Sequence, residues 1–177
     1  MVIEGPNIRK ISTLDLKNLA ELVNSAYRGE SSKAGWTTEA DLLGGQRTDP
    51  DSLAQMILNE QTILVAEDSQ KNLLGCVYLK KAEANKAYLG MLTVKPKLQA
   101  QGLGKKLLFA GEKFAQENWQ AKAMQMTVIS VREELIAWYL RHGYKKTDKT
   151  ENFPYGDSRF GLPKRPDLLF IVLEKEF

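Results

Sequence analysis

The chain has 177 residues, about the length of one domain, and residues 1–177 are expected to form a single one. Hydrophobic residues make up 43% and charged residues 27%, which excludes a wholly disordered or fibrous chain. Lys and Arg number 25 against 22 Asp and Glu. That excess of three does not suggest a nucleic-acid or membrane-surface protein, whose basic residues would be concentrated in a patch. No apolar run reaches the ~18 residues that span a bilayer. The start, MVIEGPNIRK, lacks the apolar stretch of a secretory signal and carries Glu4 early. A single cysteine, Cys76, excludes an internal disulfide and a cysteine-based zinc cluster, and the single histidine, His142, has no partner at metal-ligand spacing. The expectation is a soluble, cytoplasmic protein that binds no metal.

In chain order, Ile8 to Ile11 reads as an edge strand. Ser12 or Thr13 is placed to cap a helix with Leu16, Leu19, Ala20 and Val23 on one face. A polar loop follows Gly29. Thr37 or Thr38 is expected to cap a short helix that reaches Leu43 and ends at Gly44-Gly45. Asp49-Pro50-Asp51 opens a further helix, with Pro50 suited to its first turn.

The period then changes. Thr62–Ala66 and Leu73–Leu79 form a hairpin about a turn at Gln70–Asn72, and Lys86–Val94 is a third strand. Leu103, Leu107, Ala110 and Phe114 recur at helical spacing, which predicts a helix over 101–118. Met124–Ile129 is a strand, and Arg132–His142 is a helix closed by Gly143. Lys145–Phe153 and Leu168–Leu173 are strands, with a loop over Asp157–Asp167 between them. A strand–helix–strand unit near 87–129 calls for a parallel crossover, while the hairpins call for antiparallel pairs. A mixed sheet with helices on both faces is the most economical packing.

The junction after Val94 carries the chemistry. Gln99-Ala100-Gln101-Gly102-Leu103-Gly104-Lys105 runs from a strand into the long helix. Glycines there let main-chain N–H groups approach a ligand, and a helix start offers unpaired donors and partial positive charge, which suit a phosphate or pyrophosphate. The dinucleotide fingerprint fails, because Leu107 stands at its third glycine. The Walker pattern fails at Gln99 and at Lys106. On spacing alone, Gly102 and Gly104 either serve a ligand or only shape the turn.

Gln99-x-x-Gly102-x-Gly104 resembles the Q/R-x-x-G-x-G/A signature of the GNAT superfamily of acyl-CoA-dependent N-acyltransferases. Ala137-Trp138-Tyr139-Leu140-Arg141-His142-Gly143-Tyr144 is similar to that family's A-x-Y-x-x-x-G-F/Y segment. The resemblance spans about Leu64 to Tyr144. It implies an α/β (α+β) fold: a mixed, mostly antiparallel central sheet of about six to seven strands, helices on both faces, and a splayed parallel strand pair at Tyr88–Val94 and Met124–Ile129. It implies acetyl-CoA as co-substrate and a primary amine, in a small molecule or a peptide, as acceptor, with direct attack in a ternary complex.

The site residues follow from the same resemblance. Main-chain groups of Leu92, Thr93 and Val94 would pair with the pantetheine arm. The N–H groups of Gln99, Ala100, Gln101, Gly102, Leu103 and Gly104 would hold the pyrophosphate, with Lys105 close by. Leu92 N–H would stabilise the oxyanion, and Tyr139 would assist the leaving thiolate. A tyrosine of pKa ~10 loses about two kcal/mol by full proton transfer to a thiolate of pKa ~8.5, so a strengthening hydrogen bond suffices. The alternative is that Tyr139 only packs beside Leu135 and Ile136. Arg132 stands where the family often has Asn, and Tyr88 where some relatives have a general-base Glu. Glu83, Glu39 and Asp41 are weak base candidates whose plainer reading is as solvated surface charges.

Cys76 is expected to be buried, and a Cys76–His142 nucleophile pair has no supporting motif. His142 is placed to complement a helix C-terminus, and Lys106 to be solvated. By the resemblance the acceptor would contact Tyr27–Arg47 and Phe153–Pro166. Tyr27, Trp36, Phe153, Tyr155 and Phe160 are candidate pocket aromatics. Asp157 joins Glu39 and Asp41 as an attractor for an ammonium, while Arg47, Arg159, Lys164 and Arg165 suit an acidic acceptor. A non-catalytic acyl-CoA-binding module is the alternative function, and a binder of another nucleotide is opposed by both failed phosphate motifs. Leu168–Leu173 reads either as a homodimer interface, as in many relatives, or as a core strand.

Overall fold

The structure, a computed structural model, describes residues 5–177. Glu4, used above to argue against a signal segment, lies outside the described residues. The first strand, β1, is Asn7–Lys10. Both the N–H and the hydroxyl of Ser12 donate to Asp15, at 2.8 and 3.1 Å, and this turn feeds α1 (Leu16–Tyr27). α1 buries Leu19, Ala20, Leu22, Val23 and Ala26 along one face.

A single helical turn, α2 (Gly29–Ser32), opens the segment expected to be a plain loop. The helix expected before Gly44 is absent. Thr38 Oγ1 accepts the Ala40 N–H at 3.0 Å, Thr37 Oγ1 faces Arg132, and Glu39 is drawn into an ion cluster, so the capping side chains serve other partners. The segment instead ends in β2 (Leu43–Gly44). α3 (Pro50–Leu58) starts as its sequence predicts, with Asp49 accepting the Ser52 N–H at 2.7 Å and Pro50 in the first turn.

Then follow β3 (Thr62–Glu67), β4 (Leu73–Ala82), β5 (Lys86–Val94), α4 (Leu103–Trp119), β6 (Ala123–Ile129), α5 (Glu133–Arg141), β7 (Lys145–Asn152), β8 (Leu162–Pro163) and β9 (Leu169–Glu176). Seven of these strands form one sheet in the order β1-β3-β4-β5-β6-β9-β7, and β2 pairs with β8 separately. Every pair in the large sheet is antiparallel except β5 with β6. The loop expected over 157–167 thus contains β8. β9 lies between β6 and β7 with Val172 and Leu173 buried, so Leu168–Leu173 is a core segment and the exposed sheet edge on that side is β7.

Helices cover both faces. On one, Leu103, Leu107 and Leu108 of α4 and Ile136 and Tyr139 of α5 pack on Val77, Leu89, Met124 and Leu173. On the other, Leu19 and Val23 of α1 and Leu53 of α3 pack on Val65, Cys76 and Met91. A Cβ on Gly75 would stand 2.4 Å from the Thr93 carbonyl oxygen and 2.8 Å from Leu107, so a glycine there lets α4 approach the sheet.

Candidate functional site

The parallel pair is short. β5 and β6 are matched only at Lys86–Tyr88 against Ala123–Gln125, and beyond Tyr88 the strands part. β5 is deformed on its other side too. Its register with β4 slips between Cys76 and Tyr78, and Met91 takes φ 48°, as in a β-bulge. The Met91 carbonyl turns inward and accepts from Thr93 Oγ1 at 3.0 Å, while the Leu92 carbonyl accepts from the Tyr27 hydroxyl at 2.8 Å. The Val94 carbonyl accepts from Gln99 Nε2 at 3.2 Å. Leu92 and Val94 therefore point their backbone away from β4, and their N–H groups face the opening.

Two cavities fill the opening. One, of about 270 Å³, is bounded by Leu92, Thr93, Val94, Gln99, Ala100, Gly102, Gly104 and Lys105, and opposite them by Trp138, Tyr139 and His142. The other, of about 260 Å³, runs between Tyr88–Leu92 of β5 and Met126–Ile129 of β6 toward Phe153, Phe160 and Phe170. Tyr27, Leu92, Arg132, Leu135 and Tyr139 line both and form the waist where they meet.

The glycine loop is a row of free donors. Ala100 and Gly102 take φ 62° and 86°, and Gly102 is the N-cap of α4. Lys106 N–H, which donates to the Gly102 carbonyl at 3.1 Å, makes the first helical bond. The N–H groups of residues 100–105 precede it and take no hydrogen bond among the described residues. Such a left-handed turn before a helix start is a concave anion cradle. The Gln99 side chain does not face that cradle. Its Oε1 accepts the Trp36 N–H at 3.0 Å, which ties the 35–36 loop to the end of β5. Gln101 points outward to the Lys97 carbonyl and Leu103 packs in the core, so neither side chain lines the cavity. The exposed Lys105 ammonium lies 5.5 Å from the Phe109 ring centroid, at the cavity edge.

On α5, Leu135, Trp138, Tyr139 and His142 share the face turned to this cavity. Tyr139 is buried, and none of the hydrogen bonds among the described residues engages its hydroxyl. Burial raises its pKa well above the ordinary phenol range, and the nearby Tyr27 adds to this. It is therefore a donor that stays protonated. Trp138 and Leu135 were missed as site residues, although their spacing from Tyr139 marks the same helical face. His142 Nδ1 sits 2.8 Å from the Trp138 carbonyl, and its ring stacks on Trp138 at 4.2 Å between centroids.

Between the cavities lies a charge cluster that the sequence did not announce. Glu39 is buried and bridges two buried arginines: Oε1 accepts from Arg132 Nη1 at 3.0 Å, and Oε2 accepts from Arg28 Nη1. Arg132 also donates to Thr37 Oγ1 at 2.6 Å. Burial alone would raise the pKa of the Glu39 carboxyl, but Arg132, Arg28 and Arg47 outweigh it and hold it below the usual carboxylate range. That is the reverse of what a general base needs. Asp41 is exposed and pairs with Lys33 at 3.6 Å, and Glu83 sits in the turn before β5, roughly 20 Å of strand from Leu92. Glu151 of β7, which no motif in the sequence marks, lines the second cavity and makes no ion pair among the described residues.

The remaining candidates divide. Tyr27, Trp36, Phe153, Phe160 and Arg47 line the cavities, and Tyr88 does so with its hydroxyl 2.8 Å from Thr127 Oγ1. Tyr155 instead clips its loop, donating to the Arg165 carbonyl at 3.0 Å and accepting the Leu168 N–H at 2.8 Å. Asp157 pairs with Arg159, Arg165 with Asp167, and Lys164 donates to the Ala40 carbonyl. Cys76 is on the α1 face of the sheet, where burial pushes its thiol up to about 12, and His142 is on the α5 side, so the two do not meet. No group of three or more His, Cys, Asp or Glu among the described residues is arranged to hold a metal, and no described helix is long and apolar enough to cross a membrane.

Comparison places this geometry among known proteins. The structure superimposes on PaiA N-acetyltransferase from Thermoplasma acidophilum in complex with coenzyme A, at 22% identity and TM-score 0.69, covering 98% of this chain and 100% of that one. It matches a phosphinothricin acetyltransferase from Sinorhizobium meliloti in complex with acetyl-CoA, at 12% identity and TM-score 0.70, over 98% and 89%. It also matches a chimera of spermidine N-acetyltransferase SpeG from Vibrio cholerae and hSSAT, at 16% identity and TM-score 0.69, over 98% and 96%. At these identities the likeness is one of fold. No curated protein sequence matches the chain. The model of the acetyltransferase (GNAT) domain matches residues 34–154, more than half of the chain and including both the glycine loop and Tyr139, and on that ground the chain belongs to the GNAT acetyltransferase family.

Proposed function

We propose that this chain, working as one domain, transfers an acetyl group from acetyl-CoA to a primary amine. The observation that carries the reading is the waist: the cavity beneath the glycine loop and the cavity between the parted strands meet at Leu92 and Tyr139. A thioester laid along β5 would reach that point from one side and an amine from the other.

In this reading, N–H groups of residues 100–104 hold the pyrophosphate, with Lys105 adding charge. Leu92 and Val94 offer main-chain N–H groups to the pantetheine arm, and Thr93 fixes the bulge between them through Met91. The amine attacks the thioester carbonyl, and the oxyanion is met by Leu92 N–H. As the C–S bond breaks, Tyr139 donates a hydrogen bond to the thiolate. Its raised pKa makes it a donor rather than a source of a free proton. The incoming ammonium loses one proton through water toward Glu151, the carboxylate of the second cavity that no arginine holds among the described residues, and the proton that the nitrogen sheds once the C–N bond has formed passes to the departing thiolate, which leaves as the thiol.

A binding module without turnover remains the second reading, favoured by one observation: Glu39, Asp41 and Glu83 are all tied up or remote. Calorimetric titration with acetyl-CoA, with ATP and NAD as controls, tests the shared part. Saturable acetyl-CoA binding is expected, and no binding at millimolar cofactor overturns both readings. Release of coenzyme A across a panel of amines then separates them, since turnover excludes the module.

A further inference from the structure

The second cavity carries more positive charge than its own fold requires. Arg28, Arg47 and Arg132 line it, against Glu39 and Glu151. Glu39 takes a single hydrogen bond from each of Arg28 and Arg132, which leaves most of their ten N–H bonds to other partners. Arg132 finds one in Thr37. The Nε atoms of Arg28 and Arg132 are buried and make no hydrogen bond among the described residues, although Arg132 Nε lies 3.9 Å from Glu134 Oε1 in a longer ion pair. A buried donor without a partner is costly, and a charged one more so. Arg47 lies with its guanidinium carbon 5.4 Å from the Tyr27 ring centroid and makes no ion pair among the described residues. Gly161 lies against Arg28: a Cβ there would stand 3.1 Å from Arg28 Nη2 and 3.1 Å from the Gly44 carbonyl oxygen.

Planar guanidiniums with donors to spare, at the wall of a cavity, recognise a planar oxyanion. The opposite wall is apolar, formed by Phe153, Phe160, Phe170 and Met126. Glu151 supplies a separate negative group for the ammonium that every amine acceptor carries on arrival. We infer that the acceptor is a zwitterion: an amino acid whose carboxylate is held by Arg28, Arg47 and Arg132 while its amine reaches the waist at Leu92 and Tyr139. The inference rests on the acetyl-transfer reading and names its substrate class. It disfavours a polyamine, whose charges would all meet the arginines with like sign.

The test compares phenylalanine with phenylalaninamide, phenethylamine and spermidine in a coenzyme A release assay. The amide is the stringent control, because its amine is less basic and more of it is neutral, yet it lacks the anion. Phenylalanine is expected to lead in kcat/KM by roughly 10- to 100-fold for each charged hydrogen bond the carboxylate makes. Arg47→Gln, at a residue with no ion pair among the described residues, is expected to shrink that lead about tenfold through KM. Equal use of the amide, a preference for spermidine, or an unchanged lead in Arg47→Gln overturns the inference and leaves acetyl transfer standing. If no amine turns over, calorimetric titration of phenylalanine into the protein with and without coenzyme A decides. Saturable binding weakened by Arg47→Gln supports the anion site, and its absence overturns it. Failure to bind acetyl-CoA is a failure of the functional reading, and the titration of phenylalanine alone still judges the arginine cluster.

Discussion

Tyr139 shows what one side chain does and does not reveal. Its position in a motif made it a candidate, and its place on an apolar helix face made packing the alternative reading. The structure gives it both surroundings: it is packed in the α4–α5 core and its hydroxyl has no hydrogen-bond partner among the described residues. Tyr139→Phe keeps the packing and removes the hydrogen bond, so turnover should fall roughly 100-fold while acetyl-CoA binding changes little. Equal turnover would remove the assigned role, and a parallel loss of binding would make it structural. Arg28, Arg47 and Arg132 were less legible. They are spread over a hundred positions, and nothing in the spacing of 28, 39, 47 and 132 predicts that one buried carboxylate pairs with Arg28 and Arg132 while Arg47 lines the same cavity.

At the scale of elements, the strands and long helices were readable because burial imposes their periods. The segment 36–43 was not, because a threonine before an apolar pair looks the same whether its hydroxyl caps a helix or meets an arginine across the fold. The edge strand β1 has a subtler dependence. Arg9 donates from it to Asp15 and to Glu67 of β3, both at 2.8 Å. The Arg9 hydrogen bond, with help from Ser12, holds Asp15 near about 2. Lys71, Asn7 and Arg9 together hold Glu67 near about 2. Both carboxyls bind protons more weakly folded than unfolded, so their stabilisation is whole above the ordinary carboxylate range near pH 4.5 and disappears as pH falls toward 2. Arg9→Gln should therefore lower Tm most at pH 7, with the gap closing on acidification. A gap that stays constant from pH 7 to pH 2.5 in thermal melts would show that Arg9 acts by packing alone.

For the molecule as a whole, cofactor binding and stability are linked. Acetyl-CoA at about 100 times its Kd should stabilise the fold by ~2.7 kcal/mol, a rise in Tm of roughly 5–10 °C for a chain of this size. Gly102→Val forces a β-branched residue to φ 86° at the donor row, so the variant should melt lower and lose most of that rise. A full rise in the variant would move the cofactor away from the loop.

The parting of β5 from β6 also has a mechanical side. The large sheet is two plates, β1-β3-β4-β5 and β6-β9-β7, sewn together by only three matched residue pairs at one end of a seam. Along the open length, a strand-like arm lying on Leu92–Val94 would act as the missing stitch. Deuterium uptake at Leu92 and Val94 should then be fast in the free protein and slow sharply with acetyl-CoA. The amides of β4 and β9, already laced on both sides, should hardly respond. On this view the protein is a half-closed zip whose last tooth arrives with its co-substrate.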